Sequence, residues 1–140
     1  MGRILGIDLG NRTVGLAVSD ALGIIANPIG TVRINDQDLD TALLEVKKVI
    51  AEREVGLIVL GFPKNMNGTV GPQGEYCLKF KEMLTKETSL EVKMVDERLT
   101  TKQADAIMLE ADISRKKRKQ NVDKLAATII LQTYLDGKGR

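Results

Sequence analysis

The chain has 140 residues, 43% of them hydrophobic and 29% charged, with 21 basic against 19 acidic side chains for a net charge of +2. That profile is expected of one globular domain over residues 1–140, whose single core buries on the order of 68% of the unfolded surface. No apolar run approaches the ~18 residues of a membrane span. The absence of histidine and the presence of one cysteine, Cys77, exclude Ser-His-Asp and Cys-His nucleophilic systems, His-ligated zinc, internal disulfides and CxxC metal sites.

Acid–base or metal chemistry must therefore rest on carboxylates, lysines, arginines and hydroxyls, and carboxylate oxygens suit hard cations, chiefly magnesium or manganese. Met1-Gly2-Arg3-Ile4 runs directly into strand-like sequence with no signal-type apolar region, so a cytoplasmic location is expected.

Arg3 to Asp8 is a short apolar stretch suited to a buried strand, and Leu9 to Thr13 supplies turn residues. Val14 to Asp20 alternates Val14, Leu16 and Val18 against small residues, which predicts a hairpin; a third strand is expected around Ile29 to Ile34. The period then changes. Leu39, Leu43, Val46 and Ile50 recur at helical spacing behind Asp38, a candidate N-cap. Gly56 to Gly61 is a continuous apolar run, as in a central strand buried on both faces.

Phe62 to Gly74 reads as an ordered loop rich in glycine and proline, and Pro72 suits the first position of a helix carrying Tyr76, Phe80 and Leu84. Cys77 and Met83 fall on the same apolar face. Glu91 to Val95 is a further strand. Thr100 to Gln103 has capping-box form before a helix with Ala104, Ile107, Met108 and Ala111, and Val122 to Leu135 predicts a buried last helix. The order β-β-β-α-β-α-β-α-α gives an α/β fold, a five-stranded mixed sheet with three antiparallel strands first and helices on both faces. Neither a GxGxxG nor a Walker A sequence is present.

The charge is unevenly spread. Arg115, Lys116, Lys117, Arg118 and Lys119 form one run, and without it the chain holds 16 basic against 19 acidic residues, a balance of −3. The run reads either as a phosphate contact or as a solvated loop.

The acids that matter sit near element ends. Asp8 closes the first strand, where it either bonds the turn backbone or serves as a metal ligand on a rigid element. Asp96 and Glu97 end the strand at 91–95, and alternation sends them to opposite faces, so one of the two points where Asp8 points. Asp123 is expected in the first turn of the last helix behind Asn121, a position the helix dipole favours for any carboxylate. Three acids from three elements could gather at one sheet edge. Their mutual repulsion would require cations, and two hard cations would suit a phosphodiester displacement.

Four segments carry a resemblance. Ile7-Asp8-Leu9-Gly10-Asn11-Arg12-Thr13-Val14-Gly15-Leu16-Ala17, Gly61-Phe62-Pro63-Lys64-Asn65-Met66-Asn67-Gly68-Thr69, Asp96-Glu97-Arg98-Leu99-Thr100-Thr101, and Val122 to Gln132 resemble, in order, the signatures of the YqgF (RuvX-like) family. The resemblance covers essentially the whole chain. It implies a ribonuclease H-like fold and a bacterial cytoplasmic nuclease, a hydrolase of ribosome biogenesis that matures the 5′ end of the 16S rRNA precursor. Holliday junction resolution is the older proposal for the family.

Carried over position by position, the resemblance makes Asp8, Glu97 and Asp123 the catalytic, metal-binding acids. Arg12 stands where many relatives have lysine, and Phe62 where leucine is usual. Arg12 and the run Arg115, Lys116, Lys117, Arg118 and Lys119 become candidate phosphate contacts to structured RNA or, as the alternative, to four-way DNA. Arg98 reads best as a structural partner of Asp96. With two phenylalanines, two tyrosines and no tryptophan, a broad base-stacking platform is not expected. A non-catalytic RNA-binding assembly factor is the rival outside the enzymes, and monomer and dimer both remain open.

Overall fold

Five strands form one mixed sheet in the order β3-β2-β1-β4-β5. The structure, a computed structural model, describes residues 2–64, 67–96 and 115–137, without the side chains of 115–125. β1 (Arg3–Leu9), β2 (Thr13–Ser19) and β3 (Ala26–Arg33) run antiparallel in succession. β4 (Val55–Phe62) and β5 (Val92–Asp96) then add parallel to β1 on its other side. The expected sheet, with its three antiparallel strands first, is what the chain forms.

Between β3 and β4, helix α1 (Leu39–Arg53) begins where Asp38 accepts a hydrogen bond from the Thr41 amide at 3.2 Å and one from the Thr41 hydroxyl at 2.6 Å. Between β4 and β5, α2 (Pro72–Thr88) opens on Pro72, whose missing amide hydrogen costs nothing in a first turn. Both helices cover one sheet face. Leu5, Ile7, Leu9, Val14, Leu16, Ile58, Leu60 and Phe62 pack there against Val46, Tyr76, Cys77, Phe80 and Leu84, with Met83 partly buried at the margin. Cys77 is fully buried, as its place on the apolar helix face predicts.

The other face is covered by α3 (Arg115–Gly137). Ala127, Ile130, Leu131 and Leu135 close over Ile4, Ala17, Ala26 and Val59. This helix corrects the expected boundary. It starts at Arg115, so the basic run lies in the first turns of the helix and is not a loop before it. Asn121 is then inside the helix and no cap, and Asp123 falls in the third turn, beyond the reach of the N-terminal dipole. Lysine and arginine are good helix formers, which is why a run without apolar periodicity can still be helical.

β3 is the other correction, beginning at Ala26, three residues before the expected start. As an edge strand it exposes Asn27 and Pro28, which hides its alternation. The expected capping box at Thr100 to Gln103 and the helix around 104–111 lie outside the described residues, as do Glu97 and Arg98. Among the described residues no helix is long and apolar enough to cross a membrane.

Candidate functional site

β1, β4 and β5 are parallel, so their C-terminal ends lie at the same end of the sheet. Asp8 lies there, one residue before the end of β1 and partly buried. Alternation along β1 sends Leu5, Ile7 and Leu9 into the core under α1 and α2, so Asp8 shares the opposite face with Ile4 and Gly6, beneath α3.

Both strands beside Asp8 present a glycine. Asp8 pairs with Gly15 on β2. On β4, Ile7 is level with Leu60, so Asp8 is level with Gly61. The residue level with Asp8 on each neighbouring strand thus carries no side chain. A partly buried carboxylate between two glycines at the end of a central strand fits a hard cation, whose oxygen ligands must converge from several elements.

The register also separates the two acids at the end of β5. Phe62 pairs with Asp96, and Phe62, Val92 and Met94 all belong to the core under α1 and α2. Asp96 therefore shares their face, opposite to that of Asp8, while Val95 faces α3. Asp96 is thus on the wrong face to join Asp8.

α3 crosses this face antiparallel to β1. A Cβ on Gly6 would stand 2.6 Å from Leu131 Cβ and 3.0 Å from the Ala127 carbonyl oxygen, and farther back Tyr134 lines a cavity with Gly2 and Ile4. Asp123 is four residues before Ala127, about 6 Å along a helix axis. Asp8 is two residues beyond Gly6, about 6.6 Å along a strand. The backbone at position 123 is accordingly carried toward the level of Asp8.

The hairpin after Asp8 is held from three sides. The Gly10 amide donates to the Thr13 carbonyl at 2.8 Å, Gln37 N–H to the Asn11 carbonyl at 2.6 Å, and Ile34 N–H to the Arg12 carbonyl at 2.9 Å. From α2, the Tyr76 hydroxyl donates to the Gly10 carbonyl at 3.3 Å. Burial pushes the Tyr76 phenol up from its usual value, with smaller contributions from the neighbouring Cys77 and from the negative charges of Asp36 and Asp38, so it stays a donor at neutral pH.

Arg12 projects at the turn, 78% exposed, with Asp36 4.0 Å away and 66% exposed. A pair that exposed is worth ~0–1 kcal/mol, so it does not hold the guanidinium from another anion. Beyond β4, Lys64 lies over the Phe62 ring at 5.8 Å, and Asn67 accepts hydrogen bonds from the Thr69 amide and hydroxyl, which orders that part of the loop.

Among the described residues no three acids or thiols form a metal-binding group. Of the three expected acids only Asp8 has its side chain within the description; Glu97 and the Asp123 carboxylate lie outside it, as do the side chains of Arg115, Lys116, Lys117, Arg118 and Lys119. Sequence reasoning did not anticipate the flanking glycines, Gly15 and Gly61, or the hydrogen bond from Tyr76. The glycines stood in the motifs, but only the register brings them beside Asp8.

Comparison with known proteins adds the remaining findings. A family model described as RuvX, Holliday junction resolvase, matches residues 2–137. A protein of Geobacillus sp. (strain WCH70), named as a candidate pre-16S rRNA nuclease, is 52% identical over 97% of this chain and 99% of its own length. A relative of the same name from Clostridium botulinum (strain Hall) is 54% identical over 96% of each chain. Among solved structures, the fowlpox virus resolvase in complex with Holliday junction DNA superimposes with a TM-score of 0.60 at 12% identity over 99% of each chain. Thermus thermophilus RuvC does so with 0.57 at 15% identity over 96% of each. At such identities the likeness is one of fold, and that fold is the expected ribonuclease H-like one.

Proposed function

This chain belongs to the RuvX family, and we propose that it is a divalent-cation-dependent nuclease of the bacterial cytoplasm that processes the 5′ end of the 16S rRNA precursor. The relatives' name supports this substrate. The observation that carries the chemistry is Asp8, partly buried at the end of the central strand and flanked by Gly15 and Gly61.

Glu97 and Asp123 complete the acid set in this reading. Asp96 faces the α1 and α2 side with Phe62, which turns the choice between the neighbouring acids toward Glu97. Position 123 is one helical turn from Ala127 in the direction of Asp8, which supports Asp123. Carboxylate oxygens make up this donor set, which suits magnesium or manganese.

Two cations held there would supply an activated water and a counter-charge for the leaving oxygen. The chain's own residues do the rest. Asp8, on a rigid strand, fixes the acids relative to the scissile phosphate. Arg12 grips a phosphate from the turn, and the guanidinium favours a bidentate contact. Five basic residues in the first turns of α3 oppose the helix dipole, an arrangement that an anionic nucleic-acid backbone relieves. With no histidine in the chain, protons pass to carboxylates or to solvent.

Four-way DNA is the second substrate, on the strength of the family description. The test is cleavage of end-labelled 16S precursor RNA and of a four-way DNA junction side by side, in magnesium and in manganese, with Asp8→Asn as the blank. RNA cutting that disappears in the blank is expected. Cutting of the junction alone would make the protein a resolvase. Salt-dependent RNA binding with no cutting of either would make it an assembly factor.

A further inference from the structure

We propose that Tyr76 is a positioning residue for Asp8, acting through the Gly10 carbonyl to set where the carboxylate meets its cation. The inference rests on the reading of Asp8 as a cation ligand.

In the turn after Asp8, the Gly10 carbonyl is held by a side chain. The Asn11, Arg12 and Thr13 carbonyls each accept a backbone N–H, whereas Gly10, two residues beyond Asp8, accepts the hydroxyl of Tyr76, 66 residues away in sequence. The turn packs closely at that position, where a Cβ on Gly10 would lie 2.8 Å from Thr13 Oγ1. Displacement at Gly10 is therefore passed along the backbone toward Asp8.

α2 is a firm base for this contact. A Cβ on Gly74 would meet Val70 Cγ1 at 2.7 Å and the Pro63 carbonyl at 3.0 Å, so the first turn of the helix is wedged against the loop that follows β4. Tyr76 is 8% exposed and belongs to the same core as Leu9 and Phe62. Ring burial secures the fold, and the hydroxyl is left to direct the turn. At 3.3 Å the hydrogen bond is long for a hydroxyl donor, so its loss bears little on stability. Its value is in placement, since a ligand set tolerates only about 0.5 Å of error.

Tyr76→Phe removes the hydroxyl and keeps the ring. Manganese binding to the intact protein is measured by calorimetry for wild type, Tyr76→Phe and Asp8→Asn, alongside thermal melting without metal and cleavage across a manganese titration. Tyr76→Phe is expected to weaken manganese binding by about 10-fold, as loss of an outer partner of a metal site does. The metal concentration for half-maximal cleavage should rise in parallel, with the rate at saturating metal within about threefold of wild type and melting unchanged. Wild-type manganese affinity in Tyr76→Phe, whether or not melting falls, would overturn the proposal while Asp8→Asn still fails to bind. Wild-type affinity in Asp8→Asn would overturn the reading of Asp8 itself, and this inference with it.

Discussion

Gly6 of β1 and Leu131 of α3 meet so closely that a single added carbon on the glycine would lie 2.6 Å from Leu131 Cβ. This approach sets how near α3 comes to the strand that carries Asp8. Neither Leu131 Cβ nor the Ala127 carbonyl, 3.0 Å from the same point, is the far end of a flexible side chain, so the helix itself would have to move.

Gly6→Ala is accordingly expected to destabilise the fold by about 1–3 kcal/mol, the usual cost of overpacking. Because α3 also carries Asp123, cleavage should fall at temperatures where the variant remains folded. Urea denaturation together with a cleavage assay at 25 °C separates the two effects, and full activity in a destabilised variant would show that the spacing of α3 does not matter to the site.

The pairing of Phe62 with Asp96 sets Asp96 on the face away from Asp8. Asp96→Asn should therefore leave cleavage within a few-fold of wild type, while Glu97→Gln should lower it by ~100-fold or more, beyond what loss of an outer-shell partner alone costs. Rates for the two variants in matched manganese decide the matter. The reverse ranking would move the site to the α1 and α2 face.

Ser19 is wholly buried at the far end of the sheet from Asp8, where its Oγ accepts the Ile4 amide at 2.9 Å and donates to the Asp20 carbonyl at 3.0 Å. The register of β1 against β4 shifts between Arg3 and Ile4, and the Ile4 amide turns to this hydroxyl. Ser19→Ala strands that buried amide and should cost about 1–3 kcal/mol. Denaturant midpoints should drop with the cleavage rate at saturating metal unchanged.

Acid should act through two carboxylates. Asp38 is held below its ordinary value of 3.8 by the Thr41 hydroxyl first and the Thr41 amide second. Asp20 is held below the same value by the Ile25 and Ile24 amides. A folded-state value lowered in this way gives stability that is present above the unfolded value and is lost as pH falls through the folded one. Asp38→Asn keeps a cap without a titrating group. Its denaturation midpoint should fall less steeply than that of wild type below about pH 4, as pH-dependent urea unfolding would record.

Much of this architecture was legible in local sequence because the deciding forces are local. Asp38 and Thr41 are three residues apart, Pro72 needs only its own missing hydrogen, and Tyr76, Phe80 and Leu84 follow one helical stripe. The start of α3 was not legible, since a run of lysine and arginine has helix propensity but no apolar period to reveal it. The face of Asp96 depends on which residue of β4 it pairs with, and the Gly15 and Gly61 flanks of Asp8 depend on two registers at once. The Tyr76 contact spans 66 residues. Such relationships arise only when strands are aligned in space, which a single sequence does not specify.

In the proposed site Asp8 of β1, Glu97 and Asp123 of α3 share one cation site. Manganese titration followed by electron paramagnetic resonance, on wild type and on Asp8→Asn, Glu97→Gln and Asp123→Asn, tests it most directly. Saturable binding is expected in the wild type, weakened by about 10-fold or more in each single variant, with the variants folded. Wild-type affinity in all three would contradict it and return the acids to purely structural roles.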